Sequence, residues 1–213
     1  MQARRYNMRT LLKYGGVAAL AVLLSCPALH AQNYLNVTVG YGVNFPTGTF
    51  KNYITHPGYK GFNASLAYPL NDQLSLGLSF GYNDYYQKYP RQTYNDGEGT
   101  TVSAVLTNSV QQIPVLVTAN YTLIKKGFIR PYVEGGAGVN FATFDQYLGE
   151  FDAPHSKANW ALKGGAGFYI PLSGYSPTAI KIGGSYNYAP FNSDGVKNLD
   201  TWGIEAGIRF AIH

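Results

Sequence analysis

The feature that most limits what this chain can become is an alternation of apolar with small or polar residues, repeated in eight separate segments. A period of two places successive side chains on opposite faces of a β-strand. In the first segment Leu35, Val37, Val39, Tyr41, Val43 and Phe45 share one face, opposite Asn36, Thr38, Gly40, Gly42 and Asn44. The same reading holds over 62–68, 74–82, 113–123, 129–141, 160–170, 180–188 and 202–212, although Pro114 and Leu116 blur the fourth segment. No stretch of comparable length has helical spacing.

The connections alternate in length. Short ones lie at Asn71–Gln73, Lys125–Gly127 and Ser173–Pro177, and long ones at about 46–58, 84–108, 145–158 and 189–200. Short turns on one side and long loops on the other are the pattern of an outer-membrane barrel. With an even strand count both ends fall on the short-turn side, the periplasm.

Composition settles which face meets what. Charged residues are 13% of the chain, and the non-apolar faces carry Gly, Ser and Asn with only about one or two charges per strand. A soluble barrel shows a charged exterior, and these faces are too small and too uncharged to be one. They suit a narrow interior, with the apolar face against lipid. Strands of about 9–11 residues, tilted by about 45°, cross the hydrocarbon layer, and closing the sheet satisfies every backbone group inside it. Tyr34, Tyr68, Trp160, Tyr188, Trp202 and Phe210 sit near strand ends, where aromatic rings favour the headgroups. Pro69, Pro131 and Pro171 lie close to the short turns and Pro114 near the other rim, where a lost ladder hydrogen bond is tolerated. The expected fold is all-β: a closed antiparallel up-and-down transmembrane β-barrel of eight strands.

The N-terminus is separate. Arg4, Arg5, Arg9 and Lys13 precede an apolar run from Val17 to Leu24, and small Ala31 follows. This is the order of a secretory signal, and counting from Met8 gives it ordinary length. The expected organisation is a removed signal at 1–31 and a barrel domain at 32–213. Without the signal 12 basic and 11 acidic residues remain, so the net charge falls from +5 to +1 and nucleic acid is excluded as a partner. Cys26 is the only cysteine, so there is no disulfide framework. Leu23–Cys26 resembles a lipobox, which leaves two alternatives: lipidation of Cys26, or cleavage after Ala31.

The mature segments resemble the family of small outer-membrane β-barrel proteins of the OmpA and OmpX type, especially members of the Bacteroidetes kind. The resemblance covers Gln32 to the C-terminus. It rests on YPLNDQLSL from Tyr68, IPVLVTANY from Ile113, RPYVEGGAGV from Arg130, GGAGFYIPL from Gly164 and GIEAGIRF from Gly203. It implies residence in the bacterial outer membrane among lipid and lipopolysaccharide, and insertion by the barrel-assembly machinery. The family usually ends on an aromatic residue; here Phe210 stands three residues short of the end.

Candidate functional residues form two groups. Arg130, Glu134, Lys163, Lys181, Glu205 and Arg209 fall on inward faces. An eight-stranded interior has room only for side chains, and buried charges must pair, so an ion-pair network plugging the lumen is expected. The alternative is a pore lined by the same groups. Tyr85, Tyr86, Tyr89 and Tyr94, around Asn95-Asp96-Gly97, form a tyrosine-rich hairpin extending beyond the membrane. It is read either as a surface that binds a partner or as a solvated loop with aromatic packing.

Other patterns carry less. Asp152, His155 and Ser156 are the residue types of a hydrolase triad, but adjacency in one loop denies them the facing geometry. His56, His155 and His213 lack metal-ligand spacing. The glycine runs at Gly136 and Gly165 lack a nucleotide loop's strand-to-helix context; barrel curvature and a crowded lumen account for them. The expectation is a non-enzymatic barrel without cofactor, catalytic residue or metal, displaying four external loops. Its rivals are a porin-like passive channel and a lipid-A-modifying enzyme.

Overall fold

Each alternating segment extends into a strand, and the strands pair in a ring. The computed structural model describes residues 34–90, 92–95, 101–104, 106–148, 151–152, 155–173, 178–193 and 196–212. The expected signal, Cys26, Asp96, Gly97 and His213 lie outside the described residues, as do the side chains of Tyr94, Asp152 and His155. The barrel strands are β1 (Leu35–Pro46), β2 (Gly58–Pro69), β3 (Leu74–Lys88), β4 (Leu106–Thr122), β5 (Arg130–Leu148), β6 (His155–Pro171), β7 (Ala179–Tyr188) and β8 (Thr201–Ile212). Each pairs antiparallel with its neighbours in sequence, and β1 pairs with β8 from Leu35↔Ile212 to Pro46↔Thr201. The ring has no free edge. No described helix is long and apolar enough to cross a membrane.

The side-chain directions are inverted relative to a soluble protein. Outward-facing Leu78 and Ile204 are 54% and 52% exposed, whereas inward-facing Thr38 and Gln112 are 6% and 5% exposed. Along β8 the outward row runs from Trp202 to Ile212. About ten steps of ~3.3 Å at a tilt near ~40° give a belt roughly 25 Å tall, the height of a lipid-facing band. Aromatic rings mark its upper edge: Phe45 stacks on Trp202 at 4.5 Å, and Trp160 tilts against Tyr188 at 5.4 Å.

Local chemistry sets the short turns. The Asn71 side-chain oxygen accepts from the backbone N–H groups of Gln73 and Leu74, at 2.9 and 2.8 Å, fixing the β2–β3 hairpin as an Asx turn. Gly127, at φ 132°, occupies a backbone region that other residues avoid and turns β4 into β5. Pro114 removes a donor from β4, and the β3–β4 ladder lapses opposite it, between Phe80↔Val115 and Asn83↔Gln112.

The long connections are more structured than their sequence suggests. The first carries a short helix, α1 (Gly48–Tyr53), and the fourth a small hairpin of Pro190–Ser193 with Val196–Asn198. The third nearly vanishes, because β5 and β6 stay paired as far as Phe144↔His155. In the second, Gln92–Asn95 pairs with Thr101–Ala104, as the tyrosine-rich hairpin required. Strands β3 to β6 therefore rise past the aromatic edge as a wall. Its outward row turns polar there, at Ser109, Gln111 and Thr143, which is where the apolar belt ends.

This limit is testable by charge insertion. Leu78→Arg, at mid-belt, is expected to destabilise the barrel in lipid vesicles by about 2–4 kcal/mol. Gln111→Arg, above the belt on the same outer surface, should stay within about 0.5 kcal/mol of wild type. Equal losses in urea unfolding would place the boundary elsewhere.

Candidate functional site

The lumen is filled in layers. Nearest the short turns, Tyr132 and Tyr169 stack at 4.5 Å, and both are buried. Tyr132 lies flat because its cross-strand partner is Gly167 and its hydroxyl reaches Gly183; a Cβ at either glycine would stand within 2.7 Å of that oxygen. The Arg209 guanidinium covers the Tyr169 ring at 4.7 Å, and Lys181 lies 5.2 Å from the centre of Tyr132.

The next layer is a closed ring of four charges. Lys163 contacts Glu134 at 2.8 Å and Glu205 at 3.4 Å; Lys181 contacts Glu134 at 2.9 Å and Glu205 at 2.6 Å. The four come from consecutive barrel strands, β5, β6, β7 and β8. Each faces a glycine across a ladder: Glu134↔Gly165, Lys163↔Gly136, Lys181↔Gly207 and Glu205↔Gly183. The glycines clear the space into which long side chains lean. The ring is electrically neutral, and every member has two opposite charges to meet the cost of leaving water.

Of the six expected network residues, these four are brought together. Arg130 and Arg209 are not: no ion pair among the described residues includes either. The reason is stoichiometric. Two lumen carboxylates are already saturated by two lysines, and the arginines sit nearer the turn-side mouth.

Above the ring comes an amide layer, with Asn44 donating to Asn83 at 2.7 Å and Asn140 to Gln112 at 3.3 Å. Cavities of about 40 Å³ on the turn side and 50 Å³ on the loop side flank the ring, and Lys163 and Glu205 line both.

The loop-side end is closed by apolar side chains that the sequence reading missed. Phe50 and Ile54, from α1 and the residue after it, are completely buried with Tyr85, Val110, Ala142, Phe144, Phe191, Val196 and Leu199. Phe50 meets Tyr85 edge-on at 5.1 Å, and Phe144 stacks on Phe191 at 4.4 Å. Asp200 clasps this plug. Its backbone oxygen accepts from the Thr47 N–H at 2.9 Å and from the Thr47 hydroxyl at 3.1 Å; its carboxylate accepts from Tyr186 Oη at 3.3 Å and the Ala189 N–H at 3.4 Å. Burial raises the Asp200 carboxyl above its ordinary range, partly offset by these donors.

Tyr85 is thus no surface aromatic. It is 0% exposed because β3 continues past the membrane with unbroken parity, which points residue 85 inward. Its neighbour Tyr86 points out and is 54% exposed. Tyr89 donates to the Tyr53 carbonyl at 3.2 Å and ties the hairpin side to α1. The signal that could have found the plug was present: Tyr85, Val110 and Phe144 continue the inward rows of β3, β4 and β5. Ser156 lies on the outer wall, its hydroxyl 3.0 Å from that of Thr143. No metal-holding cluster occurs among the described residues.

Glu134→Gln leaves two lysines sharing one carboxylate and is expected to cost about 3–5 kcal/mol. Adding Lys163→Gln restores neutrality. The double variant should then lose less than the summed single losses, by about 0.5–3 kcal/mol. Additive losses in vesicle unfolding would mean that the ring does not act as a unit.

A family model described as the outer membrane protein beta-barrel domain matches residues 16–210. No curated protein matches. Among solved structures, the outer membrane protein OprG from Pseudomonas aeruginosa is 16% identical with a TM-score of 0.51, covering 84% of this chain and 96% of that one. Neisserial surface protein A is 17% identical with a TM-score of 0.49, covering 83% and 95%. The N-terminal β-barrel domain of Pseudomonas aeruginosa OprF is 17% identical with a TM-score of 0.48, covering 85% and 98%. At its identity the OprG likeness extends to the fold and no further. With a family match along nearly the whole of a closed eight-stranded ring, the chain belongs to the outer membrane protein beta-barrel domain family.

Proposed function

We propose that this outer-membrane barrel is a sealed, non-enzymatic anchor that holds structured external segments for envelope architecture or surface contact. The observation that carries this reading is closure at two levels: a neutral charge ring in mid-lumen and an apolar plug at the loop-side mouth. An ion crossing the barrel must displace both. The apolar belt takes outer-membrane lipid, lipopolysaccharide meets its upper rim, and the barrel-assembly machinery inserts the strands. The wall of β3 to β6, with Tyr86 on its outer side, offers a firm surface to a protein partner.

Two rivals are weaker. Passive passage of small molecules has the two flanking cavities in its favour, yet the charge ring stands between them. Lipid-A modification needs a nucleophile, and the Ser156 hydroxyl faces Thr143.

Purified protein in planar bilayers is expected to show no stable unitary conductance. Phe50→Ala, which loosens the plug alone, should leave it silent, because the charge ring persists. Steady single-channel steps in the wild type would support the channel reading, and altered lipid A masses in a deletion strain the enzymatic one.

A further inference from the structure

The lumen charges do not all cancel. Arg130, the first residue of β5, and Arg209, on β8, border a turn-side cavity of about 130 Å³ together with Asn36, Tyr34, Asp72, Lys125 and Tyr169. That volume far exceeds the ~15 Å³ a single water requires. The one carboxylate on its border, Asp72, is exposed and engaged by Lys125 at 3.3 Å. Two guanidinium groups therefore face the cavity without a counter-charge among the described residues.

Among the residues that border this 130 Å³ cavity, the unmet hydrogen-bonding capacity has a single sign. Arg130 Nε is buried without a partner, and so is Nδ2 of Asn36, a residue only 2% exposed. Both atoms are donors. A buried donor left unmade costs free energy, and a site lined by two unmade donors and surplus positive charge is complementary to an anion. Arg209 is also pre-oriented, because its guanidinium rests on the Tyr169 ring.

We propose that this turn-side mouth binds a phosphate group, held between Arg130 and Arg209 with Asn36 completing the cradle. The donors approach from three strands, β5, β8 and β1, and so from different directions. A tetrahedral oxyanion offers oxygens in several directions, whereas a carboxylate accepts within one plane. Guanidinium forks match phosphate oxygens in pairs. The phosphate has two possible sources on this side of the membrane: a soluble phosphate or ester in the periplasm, or the headgroup of an inner-leaflet lipid.

The test reads the arginine Nε–H signals by nuclear magnetic resonance, on the full barrel folded in a phosphate-free maltoside detergent. Arg130→Gln and Arg209→Gln assign the two signals. Sodium phosphate should shift both saturably in the wild type, with a midpoint on the order of 1 mM or lower. Sodium chloride at equal ionic strength should not. A shift with inorganic phosphate identifies a soluble ligand. A shift only with a water-soluble short-chain phosphatidylglycerol identifies the lipid headgroup. The proposal is overturned if neither probe moves the signals at about tenfold higher concentration, or if chloride moves them equally. Residues 32–213 hold one further arginine, Arg91; Arg91→Gln identifies the other two signals by exclusion, so a lumen variant that fails to fold does not remove the test.

Discussion

The ladder between β1 and β8 is the contact on which everything else rests. In hydrocarbon an unpaired backbone N–H or C=O has no water to turn to, so a row of them along an open edge would exclude the sheet from the bilayer. Pairing from Leu35↔Ile212 to Pro46↔Thr201 removes that edge. Only then does an outward face of Val, Leu, Ile and aromatic residues become an asset, and only then is there an inside to fill.

Filling that inside creates the opposite problem, since the axis is too narrow for large side chains on every strand. The chain answers with asymmetry between neighbours. A long residue on one strand faces a glycine on the next, as Glu134 does with Gly165 and Tyr132 with Gly167. Charges in this narrow centre are tolerated because each touches two of opposite sign. A slip of one residue between adjacent strands would put a glutamate or lysine into lipid, so the ring also fixes register across four strands.

How much of this was legible in the sequence depended on distance. Facing directions are local, so Val37 against Thr38 or Ile204 against Glu205 could be read from spacing alone, and with them the eight-stranded barrel. Which lysine meets which glutamate depends on the stagger between strands, a property of the closed ring. For that reason spacing alone groups Arg130 and Arg209 with four residues they do not join. The plug was hidden differently. Polar Asp84 and the adjacent Tyr85 and Tyr86 look like the end of a strand, although the strand merely leaves the membrane there. Tyr85 finds its apolar neighbours only because α1 folds back into the mouth, a long-range event that spacing does not record.

The clasp at Asp200 has a temporal meaning. Thr47 and Asp200 are separated by 153 positions along the chain, yet they hydrogen-bond directly. Thr47 follows the first strand and Asp200 precedes the last, so the two become neighbours only when the earliest and latest strands have come together. Loop-closure entropy opposes that encounter until the intervening hairpins have shortened the path. The clasp therefore exists only where the first and last strands have met, and a capped mouth is a signature of a finished molecule.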